Sequence, residues 1–552
     1  MQASTPQARL KRSALGIGFY AVAVFVALVC IIPYVGVIVA AFTGSFETLS
    51  HLMDTVLGRY TATTLILVVA VMLGSAIIGS GAAWLVTMTE FAGRRWLEVA
   101  LALPLAFPAY VLAYAYTQVL DHPGIVQSTL RDVMGWGPRD YWFPEIRSVG
   151  GAALMLTLVL YPYVYLLARA AFTAQGAGAF LAARVLGGSA TRAFFRVSLP
   201  MARPAIASGM ILVAMETIAD YGTVAHFGVQ TFAVGIYTSW FGLADRAAAA
   251  QLALGLLAFA LLLAMLERSN RGQAAFDTGR RNQPMQRIAL SGRQQAGAIA
   301  FCVFPVLFGV IIPVITLFTM AFGSEQDLLS PRYQLFIKNS LTLASVAALV
   351  TVTAALVLGT LHRVRATRTT GGALYLARMG YAVPGGVIAV GLLVPFAAFD
   401  NTLDAWMRAN FDISTGLLFT GSIWLLIFAY LIRFLAAALG AYEGGIANVG
   451  PNMDAAARTL GQDMPGMVRR VHLPLLRTSL LTAGLIVFVD VMKELPATLI
   501  MRPFNYDTLA VQAHRLASDE RLEGAAVPSL VIAAIGLIPV ILLCRRIGRG
   551  RA

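Results

Sequence analysis

Long apolar runs without charged residues constrain this chain more than any other feature of its sequence. Ten such runs are each long enough to cross the hydrocarbon core of a bilayer as a helix. They are 13–46, 60–89, 99–120, 148–168, 247–266, 294–324, 339–361, 379–399, 413–432 and 524–544. Two further apolar segments, 204–228 and 478–501, are interrupted by charged residues. The sequence therefore predicts an all-α membrane protein with twelve transmembrane helices.

Composition and charge agree with a protein embedded in a lipid bilayer. Of the 552 residues, 58% are apolar and only 12% are charged, whereas soluble domains carry about 25% charged residues. The net charge of +14 comes from Lys and Arg at the N-terminus and in every second connection. The positive-inside rule then places both termini in the cytoplasm. Because these residues are dispersed and build no basic face, the charge does not indicate nucleic-acid binding.

One polar sequence between apolar runs occurs twice, and its two copies align without a gap. The repeated residues are Ala182, Ala183, Arg184, Gly187, Leu199 and Pro200 in the first copy, and Ala456, Ala457, Arg458, Gly461, Leu473 and Pro474 in the second. The glycine permits a turn that a side chain would resist, and the proline suits the first turn of a following helix. Each copy predicts a helix, a turn and a second helix on the cytoplasmic side.

The duplication extends over about half of the chain. Thr63-Thr64-Leu65 aligns with Asn339-Ser340-Leu341, and Pro108 aligns with Pro384 in the same register. Six spans per half give both halves the same orientation, which is typical of a parallel repeat. The predicted halves are 1–280, with loop 1 at 180–203, and 281–552, with loop 2 at 453–477.

The two interrupted spans carry acidic residues at matching positions. Glu216 and Asp220 in the first correspond to Asp490 and Glu494 in the second, in the register that pairs Gly187 with Gly461. Intramembrane carboxylates are costly and normally face a polar interior or a partner, so one interpretation is an acidic path for a cation. The alternative is structural: Lys493 neutralises Asp490, and Glu494 caps a break before Pro496.

Two histidines lie close to these features. His226 follows Asp220 in the first interrupted span, where it either joins a metal path or is simply hydrogen-bonded. His472 belongs to loop 2, and we expect it to contact a partner protein.

The duplicated sequence resembles the EAA loop of ABC importer permeases. The shared pattern is Ala-Ala-Arg-x-Leu-Gly, then nine residues, a Val, one residue and Leu-Pro. The resemblance implies that each loop enters a groove on one subunit of a homodimeric ABC ATPase and transmits its closure to the membrane helices. The sequence departs from the pattern where the family has a leading Glu. That position is Leu181 in loop 1 and Ala455 in loop 2, with Asp454 just before it.

Runs that follow the loops are similar to those of the fused, two-repeat permeases of ferric-iron importers. They include Asp220-Tyr221-Gly222-Thr223, Gly228-Val229-Gln230-Thr231-Phe232, Lys493-Glu494-Leu495-Pro496-Ala497-Thr498 and Arg502-Pro503-Phe504. This resemblance implies a bacterial inner membrane, a periplasmic ferric-binding protein as partner, and Fe³⁺ as the transported substrate. Carboxylate oxygens suit such a hard cation. Permeases for thiamine and phosphonates are close relatives, so these substrates stay as alternatives.

The sequence contains no motif for catalysis or nucleotide binding. None of the three lysines, Lys11, Lys338 and Lys493, follows a glycine, so the phosphate-cradling G-x-x-x-x-G-K-[ST] loop is absent. We therefore expect no catalytic residue and no bound cofactor in this chain, with ATP hydrolysed by partner subunits. A proton-coupled secondary transporter with twelve spans is the alternative from another functional class. It would have no need of the duplicated loop.

Overall fold

The computed structural model describes residues 6–43, 46–138, 140–175, 178–272, 287–447 and 449–549. These residues are almost entirely helical. Two short strands, β1 (Thr89–Glu90) and β2 (Ile288–Ala289), pair in parallel. The predicted all-α fold is therefore confirmed. The boundary predicted between residues 280 and 281 lies outside the described residues.

Helices of the first half alternate between long apolar rods and short connecting pieces. They are α1 (Pro6–Thr43), α2 (Phe46–Leu52), α3 (Gly58–Met88), α4 (Arg94–Ala100), α5 (Ala109–Leu120), α6 (Ile125–Met134), α7 (Val149–Gln175), α8 (Gly178–Val185), α9 (Ala190–Ala193), α10 (Leu199–Ala219), α11 (Gly222–His226), α12 (Phe232–Tyr237) and α13 (Arg246–Gly272).

The second half continues in the same manner. Its helices are α14 (Gly292–Val306), α15 (Ile312–Gly323), α16 (Pro331–Val364), α17 (Arg368–Met379), α18 (Gly385–Phe411), α19 (Ile423–Ile446), α20 (Pro451–Thr459), α21 (Met464–Met467), α22 (Leu473–Met492), α23 (Pro496–Met501), α24 (Leu509–Ser518) and α25 (Leu522–Arg549). Wider, π-helical turns occupy Met53–Leu57, Phe194–Ser198, Thr238–Gly242, Leu307–Ile311 and Val468–His472, and 3₁₀ turns occupy Leu103–Ala106 and Gly380–Ala382.

The number of membrane-spanning helices agrees with the sequence. Among the described residues, eleven helical segments are long and apolar enough to cross a bilayer, and a bent pair raises the number to twelve. The bent pair is Arg94–Ala106 with Ala109–Met134, at 94°. It covers 99–120, which the sequence predicts as one continuous span. The break falls at Pro108, whose ψ of 143° is extended and ends the preceding helical stretch.

The helices form two compact units whose boundaries differ from those of the two sequence repeats. Unit 1 contains Met1–Gly44 and Gln334–Thr508, and unit 2 contains Ser45–Tyr333 and Leu509–Ala552. The first helix of each repeat is thus grouped with most of the other repeat: α1 belongs to unit 1, and α14 and α15 belong to unit 2. The predicted halves describe the duplication of the sequence, whereas the units describe its packing.

Within unit 1, α1 and α18 cross at a pair of glycines. A Cβ atom on Gly36 would lie 1.9 Å from the carbonyl oxygen of Gly391, and one on Gly391 would lie 2.2 Å from that of Pro33. Membrane helices approach this closely only where the side chains are small. The crossing therefore fixes α1 onto α18 through its backbone.

Candidate functional site

Loop 1 forms the predicted helix, turn and second helix within unit 2. α8 is followed by Gly187, whose φ is +86°. The N–H of Gly188 donates to the carbonyl of Ala183 and the N–H of Gly187 donates to that of Arg184, both at 3.0 Å. These two bonds are those of a Schellman cap, in which a left-handed glycine ends the helix.

Loop 2 repeats this geometry within unit 1. Gly461 follows α20 with a φ of +76°. The N–H of Gln462 donates to the carbonyl of Ala457 and the N–H of Gly461 donates to that of Arg458, again at 3.0 Å. The predicted need for glycine at both turns is confirmed, since a residue with a Cβ would be strained there.

The second helices of the two loops also correspond residue for residue. A π-helical turn ends at Ser198 in loop 1 and at His472 in loop 2, and the next helix begins one residue later. Pro200 and Pro474 lie in the first turns of these helices, as predicted. A proline there costs no helical hydrogen bond.

Both loops present an apolar tip and bury the opposite side. Val185 and Leu186 are each 87% exposed, and Leu460 is 80% exposed. On the inner side, Phe180 in loop 1 and Asp454 in loop 2 occupy equivalent positions, and both are buried. Two equivalent exposed tips of this kind suit docking to a partner with two similar grooves.

His472 does not face outward, so the expectation that it contacts a partner was wrong. Its side chain is fully buried, and its Nε2 lies 2.9 Å from Oδ1 of Asp454. The Nε of Arg363 donates to Oδ2 of the same carboxylate at 2.5 Å. Burial opposes ionisation of Asp454, but the hydrogen bonds from His472 and Arg363 prevail and lower its pKa.

Asp220 caps α11, the short helix at the end of the first interrupted span. Its Oδ1 accepts hydrogen bonds from the backbone N–H groups of Thr223 at 3.0 Å and Val224 at 3.2 Å. The hydroxyl of Thr223 donates to Oδ2 at 3.0 Å. The carboxylate therefore satisfies N–H groups at the start of α11 that have no partner within that helix.

Glu494 has the same role at the end of the second interrupted span. Its Oε1 accepts from the N–H of Ala497 at 2.9 Å, and its Oε2 accepts from the N–H of Thr498 at 3.1 Å and the hydroxyl of Thr498 at 2.7 Å. It caps α23 at the break before Pro496, which is the structural interpretation of this residue.

The other two acids differ in their surroundings. Nζ of Lys493 lies 2.9 Å from Oδ1 of Asp490, which is the neutralising pair of the structural alternative. Glu216 is half-buried, and the described part of the chain offers its carboxylate no hydrogen bond or ion pair. His226 is hydrogen-bonded, with Nε2 at 2.9 Å from Oγ1 of Thr117. No group of three or more His, Cys, Asp or Glu side chains that could hold a metal ion occurs among the described residues.

Sequence reasoning missed an open cleft of about 500 Å³ in unit 2. Arg147 lies at its wall, with Nε donating to Oδ2 of Asp121 at 2.8 Å and Nη1 and Nη2 donating to the two carboxylate oxygens of Glu520 at 2.8 and 2.9 Å. The hydrogen bonds from Arg147 lower the pKa of Glu520. Because 373 residues separate this pair, no local sequence signal could have indicated it.

Comparison with known proteins shows similarity to permeases of transport systems. The chain is 24% identical over 530 residues to the Fe(3+)-transport system permease protein FbpB 2 of Haemophilus influenzae, with 94% of this chain and 96% of the relative covered. It is 24% identical to the probable ABC transporter permease protein y4fN of Sinorhizobium fredii, covering 83% of this chain and 82% of that one.

Shorter relatives match part of the chain. The molybdenum transport system permease protein ModB of Escherichia coli is 28% identical over 145 residues, which are 26% of this chain and 60% of ModB. No family model matches the chain. The helical membrane architecture and the end-to-end similarity lead to one conclusion: the chain is a multi-pass membrane protein that is similar over nearly its whole length to permeases of ABC transporters.

Proposed function

We propose that this permease moves ferric iron into the cytoplasm, with a homodimeric ABC ATPase on the cytoplasmic side and a ferric-binding protein in the periplasm. The observation that supports ferric iron as the substrate is the match to a permease named for Fe(3+) transport, which covers 94% of this chain. The match to the molybdenum permease covers 26%. Full-length similarity is the stronger indication, because it includes the helices that would line a translocation path.

In the proposed mechanism, the apolar tips of loops 1 and 2 enter grooves on the two ATPase subunits. Closure of the ATPase dimer on ATP moves both loops, and the membrane helices change from inward to outward opening. The partners drive this change only through their differential affinity for the two states. Both termini of the permease lie in the cytoplasm in this arrangement, in keeping with the distribution of Lys and Arg.

The carboxylates receive different roles in this proposal. Glu216 offers iron a carboxylate with no competing partner. Asp490 can bind iron only if the ion displaces the ammonium group of Lys493. Asp220 and Glu494 hold the broken helices in place. Weak, successive contacts suit passage of an ion better than one tight site, since a tight site would retain it.

Reconstitution in proteoliposomes tests the substrate. The permease, its ATPase and a loaded ferric-binding protein are expected to show stimulated ATP hydrolysis and iron uptake, whereas thiamine- and phosphonate-binding proteins give neither. Stimulation by the thiamine or phosphonate system alone would replace iron as the substrate. Uptake that follows a proton gradient without any ATPase would contradict the importer itself.

A pair of variants tests the path. Glu216→Gln is expected to lower iron uptake while the permease assembles and melts as the wild type does. Asp220→Asn should instead lower the melting temperature, because its amide nitrogen cannot accept the bonds that cap α11. Wild-type iron uptake by Glu216→Gln would exclude Glu216 from the path.

A further inference from the structure

The two loops are attached to the membrane helices by different chemistry. In unit 1, the side chains of Arg363, Asp454 and His472 form joint 2, which ties α16, α20 and the start of α22 together. Arg363 is also bound to the end of α19: its Nη1 donates to the carbonyl of Ile446 at 3.0 Å, and its Nη2 to that of Val449 at 2.6 Å. The guanidinium thus connects α16 directly to the end of α19, to Val449 just beyond it and to α20, and Asp454 extends the connection to His472.

Every polar side chain of joint 2 has a hydrogen-bond partner. An ionised Asp454 can only accept, so Nε2 of His472 carries the proton that it donates to Oδ1. Nδ1 of His472 lies 3.4 Å from the hydroxyl of Thr360, and the hydroxyl of Tyr442 lies 3.2 Å from that of Thr360. Both oxygens of Asp454 are used, and its charge is balanced by Arg363.

The equivalent positions in unit 2 carry apolar or neutral side chains. They are found by pairing loop 1 with loop 2, and α3 with α16, in the registers of the sequence duplication. The replacements are Phe180 for Asp454, Ser198 for His472, Trp84 for Thr360 and Thr87 for Arg363. The ion pairs of joint 2 have no counterpart at these positions.

Joint 1 is instead an aromatic cluster of Trp84, Phe180 and Phe194, in which the Trp84 ring is tilted by 58° against Phe180 and by 57° against Phe194. The Trp84 ring lies 6.4 Å from Phe180 and 4.9 Å from Phe194 between centroids. Trp84 Nε1 and Thr87 Oγ1 are buried without a hydrogen-bond partner in the described structure. Apolar packing is non-directional and tolerates small displacements, whereas a buried, fully bonded ionic network permits few arrangements.

We propose that Arg363, Asp454 and His472 are positioning residues that attach loop 2 rigidly to the membrane helices of the importer. Loop 1 is instead attached through a compliant aromatic contact. The inference rests on the proposed ATPase coupling. Because joint 2 fixes α20 to α16 and α19, displacement of its tip moves those helices with it. Displacement of loop 1 is partly absorbed in the aromatic cluster of joint 1. ATP hydrolysis and transport should therefore be linked mainly through joint 2.

The test compares matched variants of the full complex, reconstituted with its ATPase and binding protein. Transport per ATP hydrolysed is measured for Asp454→Asn and for Phe180→Leu, with ATPase co-purification and melting temperature as checks. Asp454→Asn is expected to lower transport per ATP about fivefold or more while the ATPase still binds and hydrolyses ATP. Phe180→Leu should leave this ratio within about twofold of wild type.

A conservative substitution separates positioning from simple loss of stability. A glutamine at 472 can donate to Asp454 and accept from Thr360, so His472→Gln should keep the ratio, whereas His472→Leu should lose it. Equal ratios in these two variants, or in Asp454→Asn and Phe180→Leu, would overturn the proposal. If Asp454→Asn does not assemble, Arg363→Lys carries the same test, because it retains a charge but loses bonds to the carbonyls.

Failure of the proposed function would be seen separately. A wild-type complex that transports thiamine instead of iron still gives a ratio of transport to ATP hydrolysis, and the comparison of joints continues unchanged. A wild type with no ATP-driven uptake at all would contradict the proposed function and, with it, the proposed role of joint 2.

Discussion

At the scale of single residues, both loops have the same backbone conformation at their turns. Gly187 and Gly461 take positive φ values and end their helices with the same pair of hydrogen bonds. Local rules were sufficient to predict them, since a glycine after a short helix and a proline at the start of the next describe a turn whatever surrounds it. The roles of the carboxylates were harder to predict, because a helix cap and an ion site use the same residue types.

The second turn gives a direct prediction. Gly461→Ala should destabilise the permease by about 1–2 kcal/mol, because a residue with a Cβ is strained in the left-handed region. Gly440→Ala in α19 is the control, since a Cβ there meets nothing within 4 Å and the helix gains from the substitution. Thermal unfolding in detergent should show a lower melting temperature for the first variant only. A wild-type melting temperature for Gly461→Ala would contradict the strain argument.

The Arg147–Glu520 pair predicts a pH-dependent contribution to stability. Its lowered pKa means that folding favours the ionised form of Glu520, so the stabilisation is present above the unfolded-state pKa of about 4.3 and is lost as pH falls through the folded-state value. Glu520→Gln should therefore melt below wild type at pH 7, and the two should converge in acid. The difference is small, since Glu520 is 62% exposed.

Glu325→Gln controls for a general effect of removing an acid. Glu325 lines the same cleft and makes no ion pair among the described residues. A difference from wild type that is equal for both variants, or that grows toward low pH, would contradict the role of the pair.

At the scale of helices, two interrupted spans stop and restart in the same manner. α10 and α22 each end beside an acid that caps the next short helix, Asp220 for α11 and Glu494 for α23. The sequence indicated the interruptions through their charges, and Pro496 indicated one restart. It could not indicate how α1 packs, because a uniformly apolar helix does not specify which neighbour it meets.

The crossing of α1 and α18 is testable with two substitutions in the same helix. Gly36→Ala should disrupt the crossing, because its Cβ would fall 1.9 Å from the carbonyl oxygen of Gly391. Gly18→Ala, where a Cβ meets nothing within 4 Å, should behave as wild type. Melting temperature and the yield of monodisperse protein report the difference. Equal behaviour of the two variants would mean that α1 does not depend on this contact.

At the scale of the whole molecule, the units of packing and the units of sequence differ. The duplication could be recognised from short matches such as Pro108 with Pro384, but the exchange of first helices between units could not. It depends on contacts between distant parts of the chain, and either grouping satisfies the same hydropathy pattern. The same limit applies to Arg363 and Asp454, which are 91 residues apart.

Expression of the chain as two pieces tests this exchange of helices between the units. Residues 1–280 and 281–552 expressed together should co-purify, because unit 1 needs α1 from the first piece and unit 2 needs α14 and α15 from the second. Either piece alone should aggregate or be degraded, since each lacks a helix that its own unit packs against. A monodisperse preparation of one piece alone would contradict the assignment of α1 to unit 1.

The position of α1 also sets an order of events during synthesis. α1 is synthesised well before its packing partner α18, which begins only at Gly385. At about 5–20 residues per second, the ribosome needs roughly half a minute to deliver that partner after α1 is complete. Throughout that interval Gly36 lacks Gly391, the residue that it packs against. Nascent chains arrested before residue 385 should therefore be the most sensitive to membrane quality-control proteases.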